Sequence, residues 1–261
     1  MTEPFACLRA VTARYDRVTA LDLVDLDLPE GQITALCGPN GSGKSTALRV
    51  LRGLHDADAG EVEVAGRPLR DWTPGGLARE VAMLSQSPDA PPELTVQDLV
   101  RLGRFAHRKR FSGRSGEDHA ACARALEATE MAELADRPIG RLSGGQLQRA
   151  WIAMTIAQDA PRIFLDEPTN HLDVAHAFEI LELVRRLNRA EGRSIVLVLH
   201  DLNMAMGYAD HVVLFDEGRV VSSGPTSETL TERTVADIFG VRCRIIELDR
   251  HEGPVLVTLP A

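Results

Sequence analysis

The segment Gly38–Thr46, Gly-Pro-Asn-Gly-Ser-Gly-Lys-Ser-Thr, constrains this chain more than any other feature of its sequence. It fits the pattern Gly-x4-Gly-Lys-Ser/Thr, a loop that binds nucleotide phosphates between a β-strand and an α-helix. The apolar run Gln32–Cys37 before it is typical of a buried strand, and Ser45–Leu51 after it is typical of a helix. Glycines allow consecutive backbone N–H groups to turn toward one anion, and the helix N-terminus adds its positive end. The sequence therefore predicts an α/β protein with a nucleotide triphosphate site.

Two side chains of this loop have specific predicted roles. The ammonium group of Lys44 can reach the β- and γ-phosphates, and the hydroxyl group of Ser45 can ligate Mg²⁺. The backbone of the whole segment is expected to line the phosphates. The predicted nucleotide-binding residues of the loop are Gly38, Pro39, Asn40, Gly41, Ser42, Gly43, Lys44, Ser45 and Thr46.

Composition places the chain among ordinary globular proteins, because 44% of its 261 residues are hydrophobic and 26% are charged. No apolar run in the sequence approaches the roughly 20 residues of a membrane-spanning helix. The N-terminus Met1–Pro4 has neither a basic region nor an apolar stretch, so we expect no secretory signal. The 4 cysteines are widely spaced and form no Cys-x-x-Cys pair, which predicts reduced thiols in a cytosolic protein.

The net charge of −9 argues against nucleic acid or an anionic membrane surface as the main partner. One stretch departs from this acidic balance with a cluster of basic residues. A solvated loop and a docking surface both explain such a cluster. Its members are Arg101, Arg104, Arg108, Lys109, Arg110 and Arg114.

The order of predicted elements gives a single domain with a core, an insertion and a tail. Strand-like and turn-like segments alternate at the start of the chain, and this alternation returns after residue 158. Between them, residues 95–158 are predicted to be almost wholly helical, with interruptions at Phe111–Gly113 and Arg137–Pro138. We therefore expect an α/β core over residues 1–87 and 159–225, a helical subdomain over 88–158 and a mixed α/β tail over 226–261.

Two adjacent carboxylates end a second strand-like segment, Ile163–Pro168. Asp166 and Glu167 follow its apolar part, and α/β folds bind ligands at the carboxyl edge of the sheet. Asp166 is predicted to orient Mg²⁺ through water, and Glu167 to take a proton from the water that attacks the γ-phosphate. A solvated corner is the alternative interpretation of two adjacent acids. The phosphate loop in the same chain favours the catalytic interpretation.

The segment Leu142–Gln146, Leu-Ser-Gly-Gly-Gln, opens a predicted helix over Gln146–Ala157. It resembles the signature of ABC ATPases, the nucleotide-binding subunits of ATP-driven transporters. Its serine and glycines suit a second anion site at a helix N-terminus. The resemblance implies that this second site closes over the ATP of a partner chain. The residues that it adds to the predicted nucleotide site are Ser143, Gly144, Gly145 and Gln146.

Other elements of this family follow in order between about residue 5 and residue 225. By resemblance, Tyr15 stacks on adenine, Gln86 contacts Mg²⁺ and water, and His200 is the switch residue that contacts the γ-phosphate. The segment Asn170–Asp173, which includes His171, resembles the loop that passes signals between subunits. Taken alone, Tyr15 is equally an exposed turn aromatic, Gln86 an ordinary surface residue and His200 a structural histidine.

The resemblance implies an α/β fold: a P-loop NTPase core of the ABC ATPase type with an N-terminal antiparallel β subdomain and an inserted α-helical subdomain. It also implies hydrolysis of ATP with Mg²⁺ in a head-to-tail homodimer that holds two ATP molecules at its interface. Glu167, His200 and Gln86 are then the expected catalytic residues. Ser45, Gln86 and Asp166 are the expected metal-contacting residues.

A narrower resemblance indicates the ATPases of bacterial importers for ferric siderophores, haem and cobalamin. It is carried by Thr169–His176, His200–Ala205, Leu99–Arg104 and Ile238–Val241. We expect an importer subunit on the cytoplasmic side of the cell membrane, with ferric siderophores as the first choice of cargo and haem or cobalamin as alternatives. Its partners would be a transmembrane permease, docked over residues 86–114, and an extracytoplasmic substrate-binding protein. A soluble ABC ATPase of iron–sulfur assembly is the alternative from another class.

Two positions depart from the family pattern. Arg162 stands where the family has an apolar residue, so its strand is expected to be slightly shorter or partly exposed. Leu147 replaces a residue that is usually polar or basic after the signature. Neither change removes a predicted catalytic group, so we expect ATPase activity to be retained.

Overall fold

A computed structural model describes residues 3–86, 88–107, 116–170, 172–247 and 253–260. The chain divides into two compact units. The first unit combines Met1–Trp72 with Ser194–Ala261, and the second unit is Thr73–Arg193. Within the described ranges, no helix has the length and hydrophobicity needed to cross a membrane.

The N-terminal part of the first unit is dominated by an antiparallel sheet. The elements of this part, which also includes the 3₁₀ helix Leu69–Asp71, are β1 (Pro4–Tyr15), β2 (Val18–Pro29), β3 (Ile33–Cys37), α1 (Lys44–Leu51), β4 (Ala59–Val64) and β5 (Arg67–Pro68). The strands of the antiparallel sheet lie in the order β2-β1-β4-β5, and each neighbouring pair runs antiparallel.

The second unit is largely helical and contains one pair of parallel strands. Its elements are α2 (Pro74–Glu80), β6 (Val81–Leu84), α3 (Val96–Leu102), α4 (Gly116–Ala128), α5 (Gly144–Ala157), β7 (Arg162–Leu165) and α6 (Val174–Glu191). Short 3₁₀ helices span Gly103–His107, Ala132–Leu134 and Ile139–Arg141. A Cβ at Gly103 would lie 2.1 Å from the carbonyl oxygen of Met154, so glycine allows the segment after α3 to approach α5.

The C-terminal part of the chain returns to the first unit. Its elements are β8 (Ser194–Val198), α7 (Leu202–Tyr208), β9 (His211–Asp216), β10 (Arg219–Pro225), α8 (Thr226–Thr229), α9 (Glu232–Phe239), β11 (Cys243–Glu247) and β12 (Pro254–Thr258). Strand β3 pairs in parallel with both β8 and β9, while β10 pairs antiparallel with β9. Strands β11 and β12 form a separate antiparallel pair. This tail is mixed α/β, as predicted.

The buried parallel strands of the first unit position two predicted functional segments. Every residue of β3 and of β8 is buried, as parallel strands usually are. The register places Leu36 of β3 opposite Val198 of β8. Because parallel strands end at the same edge of a sheet, the phosphate loop after Cys37 and His200 after β8 leave from one edge.

The predicted helical stretch 95–158 is less continuous than expected. The chain leaves helical geometry after α4, where Glu130 adopts a left-handed backbone conformation with φ of +58°. The predicted break at Arg137–Pro138 is present, since Pro138 is extended and precedes only a 3₁₀ turn. A proline disfavours helical geometry at the residue before it, which accounts for a break at this point. The other predicted break, Phe111–Gly113, lies outside the described residues. Strand β7 keeps the full predicted length from Arg162, whose partly exposed guanidinium group pairs with Glu80 at 2.7 Å. The division into core, helical subdomain and tail at the residues given above stays a prediction.

Candidate functional site

The backbone conformation of the phosphate loop depends on three of its glycines. Gly38, Gly41 and Gly43 have φ values of +146°, +78° and +106°, a region that disfavours residues with a Cβ. A Cβ at Gly38 would lie 2.1 Å from the carbonyl oxygen of Phe215, and one at Gly43 would lie 2.6 Å from that of Ala20. A Cβ at Gly41 would meet nothing within 4 Å. The loop is therefore packed tightly at two glycines and open at the third.

Lys44 places a positive charge inside this loop. Its side chain is only 5% exposed, and Nζ donates hydrogen bonds to the carbonyl oxygens of Gly38 at 2.9 Å and Pro39 at 2.7 Å. Helix α1 begins at Lys44, so the backbone N–H groups of its first turn face the same region. A buried ammonium group and a helix N-terminus both favour an anion, and this combination fits the phosphates of a nucleotide.

Tyr15, the predicted adenine platform, lies at the end of β1 and already has an aromatic neighbour. Its ring stacks on the imidazole of His55 with centroids 4.2 Å apart and an interplanar angle of 26°. Nη1 of Arg49 donates to the tyrosine hydroxyl group at 3.3 Å. One face of the tyrosine ring is therefore covered by His55, which leaves a single face for a base.

His200 lies in the short connection between β8 and α7. The preceding residue, Leu199, is tied to the sheet because its N–H donates to the carbonyl oxygen of Leu36 at 3.2 Å. The following residue, Asp201, caps α7 because its carboxylate accepts hydrogen bonds from the N–H groups of Asn203 at 2.8 Å and Met204 at 3.0 Å. Both sequence neighbours of His200 are therefore fixed by hydrogen bonds, while His200 itself is exposed.

The two predicted carboxylates follow β7 and have different surroundings. Asp166 is 1% exposed, and its N–H donates to the carbonyl oxygen of Leu84 at 2.9 Å. Glu167 has a left-handed backbone with φ of +55°. Such a conformation costs on the order of 1 kcal/mol for a non-glycine residue. Asp166 is therefore buried at the end of the strand, and the backbone turns sharply at the next residue, Glu167.

Glu167 is the centre of a small polar cluster in the second unit. Nε2 of Gln86 donates to Oε2 of Glu167 at 2.6 Å. Nδ2 of Asn170 donates to the same oxygen at 2.8 Å. Two amide groups therefore hold one oxygen of this carboxylate and fix its direction. The structure therefore brings together Gln86 and Glu167, while their catalytic roles stay predictions.

The signature segment forms the N-terminus of α5 with a complete capping box. Oγ of Ser143 accepts a hydrogen bond from the N–H of Gln146 at 3.3 Å, and Oε1 of Gln146 accepts one from the N–H of Ser143 at 3.1 Å. Both polar side chains of the signature are thereby engaged in starting the helix. Gly144 is exposed, and a Cβ there would meet nothing within 4 Å.

Gly145, in contrast, lies directly under a histidine. A Cβ at Gly145 would be 2.7 Å from Cδ2 of His176. Oδ2 of Asp173 accepts a hydrogen bond from Nδ1 of His176 at 2.8 Å, and Oδ1 accepts one from the backbone N–H of His176 at 3.0 Å. These bonds lower the pKa of the Asp173 carboxyl group. The start of α6 is therefore packed against the signature through one ring.

Part of the predicted set lies outside the described residues. This applies to His171 of the segment Asn170–Asp173 and to four members of the basic cluster, Arg108, Lys109, Arg110 and Arg114. Of the other two members, Arg101 pairs with Asp98 at 2.9 Å. Arg104 is 6% exposed, and its guanidinium group binds Asp118 at 2.8 Å. Arg104 therefore belongs to the interior, and neither a solvated loop nor a docking surface describes it.

Sequence reasoning missed three contacts of these residues. The first is the hydrogen bond from Asn170 to Glu167, because the sequence predicts Asn170 only as part of a signalling loop. The spacing of three residues is one at which two side chains can meet in a turn. The contacts of His55 with Tyr15 and of His176 with Gly145 gave no signal in the sequence, because the two partners lie in other elements.

Comparisons with known proteins agree with this architecture. The ABC transporter family matches residues 21–170 of the chain. The ferric enterobactin transport ATP-binding protein FepC of Escherichia coli (strain K12) is 40% identical, over 99% of this chain and 96% of FepC. The iron(3+)-hydroxamate import ATP-binding protein FhuC of Bacillus subtilis (strain 168) is 42% identical, over 93% of this chain and 90% of FhuC.

Solved structures share the fold. A protein described as a metal-chelate type ABC transporter in an inward-facing conformation matches with a TM-score of 0.86 and 27% identity, over 100% of this chain and 98% of that chain. The dimeric bacterial ABC transporter cassette MJ0796 matches with a TM-score of 0.76 and 30% identity, over 85% of this chain and 98% of that chain.

The fold and the phosphate loop define a nucleotide-binding α/β cassette. More particularly, the chain belongs to the ABC transporter family. The predicted ABC ATPase fold, with an antiparallel β subdomain and a helical region, is confirmed. ATP hydrolysis is the activity of this family, and the chain is an ATP-binding ATPase.

Proposed function

We propose that this chain is the ATP-hydrolysing subunit of a membrane importer for ferric siderophores. The observation that supports this cargo is the 40% identity with FepC over 99% of the chain, which includes the tail after residue 225. The similarity to FhuC, another iron import protein by its name, agrees with it. The transported molecule is selected by other subunits, so the cargo assignment depends on these relatives and on no side chain of the site.

Within the first unit, we assign the nucleotide phosphates to the loop Gly38–Thr46. Lys44 would neutralise the β- and γ-phosphates, and backbone N–H groups around Gly41 would bind their oxygens. Gly41 is the position where the loop is open, so a ligand can approach its backbone there. Tyr15 would contact the adenine with the ring face that His55 leaves uncovered.

Glu167 is proposed as the general base for the attacking water. Gln86 and Asn170 hold its Oε2, which restricts the rotation of the carboxylate. A base must be held within hydrogen-bond reach of the water to be effective. His200 would contact the γ-phosphate from its position between β8 and the capped helix α7.

Mg²⁺ is the proposed metal cofactor, with Ser45, Gln86 and Asp166 as the residues that contact it directly or through water. All three offer oxygen atoms, the donors that Mg²⁺ prefers. Among the described residues no group of three or more His, Cys, Asp or Glu side chains could hold a metal by itself. Mg²⁺ usually binds through phosphates, waters and one or two protein oxygens, and this donor set fits that mode. Bound Mg²⁺ would neutralise negative charge on the phosphates during hydrolysis.

We further propose a head-to-tail homodimer in which Ser143–Gln146 of each chain binds the ATP of the other chain. Support comes from the exposed Gly144 at the N-terminus of α5, because a helix N-terminus favours an anion, and from the resemblance to a dimeric cassette. The mechanical cycle is then closure of the dimer on ATP and opening after hydrolysis.

The partners of this dimer would be two transmembrane permease subunits, with an extracytoplasmic substrate-binding protein supplying the cargo. This places the chain at the cytoplasmic face of the cell membrane as a peripheral protein. The segment 86–114 is the proposed docking site. Its described part includes two exposed apolar side chains, Leu102 at 47% and Phe105 at 73%, which are suited to contact another protein.

Uptake of labelled iron in the native host tests the proposal. The host would carry Glu167→Gln in place of the wild type, and iron would be supplied as ferric siderophores or as haem, with labelled cobalamin as a third cargo. We expect loss of siderophore-iron uptake alone. Glu127→Gln is the matched control, because Glu127 is an exposed glutamate on α4 and the charge change is the same.

Two other outcomes of the uptake experiment would contradict different parts of the proposal. Loss of haem or cobalamin uptake in place of siderophore uptake would replace the cargo and keep the importer. Normal uptake of all three would overturn the import function, while the ATPase assignment would be tested separately by turnover of the purified protein.

A further inference from the structure

Asn203 joins helix α7 to the last strand of the chain through two hydrogen bonds. Nδ2 of Asn203 donates to the carbonyl oxygen of Leu256 at 3.1 Å, and Oδ1 accepts from the N–H of Leu256 at 2.7 Å. Because the side-chain amide of Asn203 pairs with both backbone groups of Leu256, it fixes the orientation of α7 relative to β12 as well as the distance between them. Both residues belong to the first unit.

Apolar packing surrounds this pair. Val235, Cys243 and Leu256 form a buried cluster of the tail. Two residues of α7, Leu202 and Met206, pack against it. Their spacing of four residues puts them on one side of the helix, so the tail covers that side. Phe239 and Ile245 complete the cluster.

Helix α7 depends on such contacts for its position. It has 7 residues, and a helix of this length is not stable in water without tertiary packing. Asp201 caps its N-terminus, and the helix packs against strands that include β12 and β3. The pair formed by Asn203 and Leu256 is therefore one of the restraints that set where α7 lies.

His200 immediately precedes the capping residue of α7, and strand β8 ends at Val198. Only the connection Leu199–Asp201 separates a rigid strand from the helix. A shift of α7 therefore moves His200, because so short a connection cannot absorb the displacement.

We propose that the hairpin β11–β12, acting through Asn203, positions His200 for ATP hydrolysis. Asn203 is then a positioning residue: it does not touch the nucleotide and acts by holding α7. This inference rests on the proposed role of His200 at the γ-phosphate. It assigns to the C-terminal tail a part in the chemical step of the reaction.

The test is a double-mutant cycle in the full chain, with steady-state hydrolysis of ATP, which gives kcat and KM, as the measurement. Asn203→Ala should lower kcat by about tenfold, the scale expected for a displaced catalytic group, while KM for ATP changes by less than about twofold. In a His200→Ala background the same change should have almost no further effect, because its action passes through the missing ring.

Asn188→Ala is the matched control. Nδ2 of Asn188 in α6 donates to the carbonyl oxygen of Arg193 at 2.7 Å, so this change also removes an asparagine bond to the backbone, in the other unit. It should leave kcat unchanged. Thermal unfolding of both variants should show similar losses of stability.

Leu256→Ala provides a second route should Asn203→Ala fold poorly, because it removes apolar cover from α7 and keeps the backbone groups that Asn203 binds. Its control is Val257→Ala, since Val257 is 41% exposed whereas Leu256 is 7% exposed. Leu256→Ala should lower kcat, and this effect should also vanish in the His200→Ala background.

Normal kcat for Asn203→Ala and Leu256→Ala, or losses that add fully to that of His200→Ala, would overturn the inference and leave the role of His200 intact. Normal turnover of His200→Ala itself would instead overturn that role in the proposed function, and with it the inference. The two failures are therefore distinguished by the His200→Ala variant alone.

Discussion

Nε2 of Gln86 lies 2.6 Å from Oε2 of Glu167, although the two residues are 81 positions apart in the chain. The contact follows from the pairing of β6 with β7, in which Leu84 is opposite Leu165. Gln86 and Glu167 each lie two residues beyond that pair, so the parallel register brings them together at the end of the strands. A movement of the segment after β6 would therefore change the surroundings of the proposed general base.

The first prediction concerns Glu167. Glu167→Gln should lower ATP turnover at least about a hundredfold, because an amide cannot take a proton from water. Affinity for ATP should remain within about threefold of the wild type, because the phosphate loop is unchanged. Turnover and ATP binding of the purified protein are the measurements, with Glu127→Gln as control. Turnover close to that of the control would mean that Glu167 is not the base.

The second prediction concerns the amide donor. Gln86→Ala removes one of the two hydrogen bonds to Oε2 of Glu167 and leaves that of Asn170. Turnover should fall by about tenfold through loss of orientation, again with little change in ATP affinity. In the Glu167→Gln background, Gln86→Ala should lower turnover less than it does alone, and the loss that remains measures the proposed contact of Gln86 with Mg²⁺. Full additivity of the two changes would contradict a shared role.

The third prediction separates the two roles of Ser143, as a helix cap and as part of a second ATP site. Ser143→Asp keeps an excellent capping residue but places a negative charge where the phosphates of a partner chain would bind. ATP binding by the monomer should be unchanged, while ATP-dependent dimerisation in the Glu167→Gln background should weaken by more than about tenfold. Light scattering measures the dimer.

Thr73→Asp is the control for this experiment. Thr73 also caps a helix, α2, by accepting a hydrogen bond from the N–H of Gly76 at 3.1 Å. It should dimerise normally. A normal ATP-bound dimer of Ser143→Asp would argue against the second ATP site.

The fourth prediction compares two glycines of the phosphate loop. Gly38→Ala combines a forbidden φ of +146° with a Cβ only 2.1 Å from a backbone oxygen, so the free energy of unfolding should fall by about 3 kcal/mol or more. Gly41→Ala meets no atom within 4 Å, so its cost should be only about 1 kcal/mol of backbone strain. Urea denaturation measures both. Equal losses of unfolding free energy in the two variants would show that the loop is packed less tightly around Gly38 than these distances indicate.

The fifth prediction concerns thiol reactivity. Burial raises the pKa of the Cys37 thiol to about 12, and Cys37, Cys122 and Cys243 are all buried, whereas Cys7 is partly exposed. Only thiolates react rapidly with maleimides. At pH 8 the folded chain should therefore be labelled slowly at Cys7 and hardly at all at Cys37. Mass spectrometry identifies the labelled residues, and unfolding in guanidinium should expose all 4 thiols. Rapid labelling of Cys37 in the folded chain would contradict this burial.

The sequence by itself determined the parts of this protein that depend on neighbouring residues. The Gly-rich loop between a strand and a helix, the two carboxylates after β7 and the capped start of α5 all follow from residues within a few positions of one another. Side-chain periodicity and backbone preference act over such short distances, so a window of sequence contains their cause. Within residues 95–158, the break at Pro138 is predicted from the proline itself. The break after α4, where Glu130 adopts a left-handed conformation, is not, because a local turn there competes with an apolar pattern.

Only the tertiary structure decided which distant residues meet. Gln86 reaches Glu167 because of the register between β6 and β7, His176 covers Gly145 because α6 packs beside the start of α5, and Asn203 binds Leu256 because the tail folds back on α7. No periodicity within a segment specifies such pairs. They depend on strand register and on the packing of complementary surfaces, which the chain establishes only when the whole fold forms.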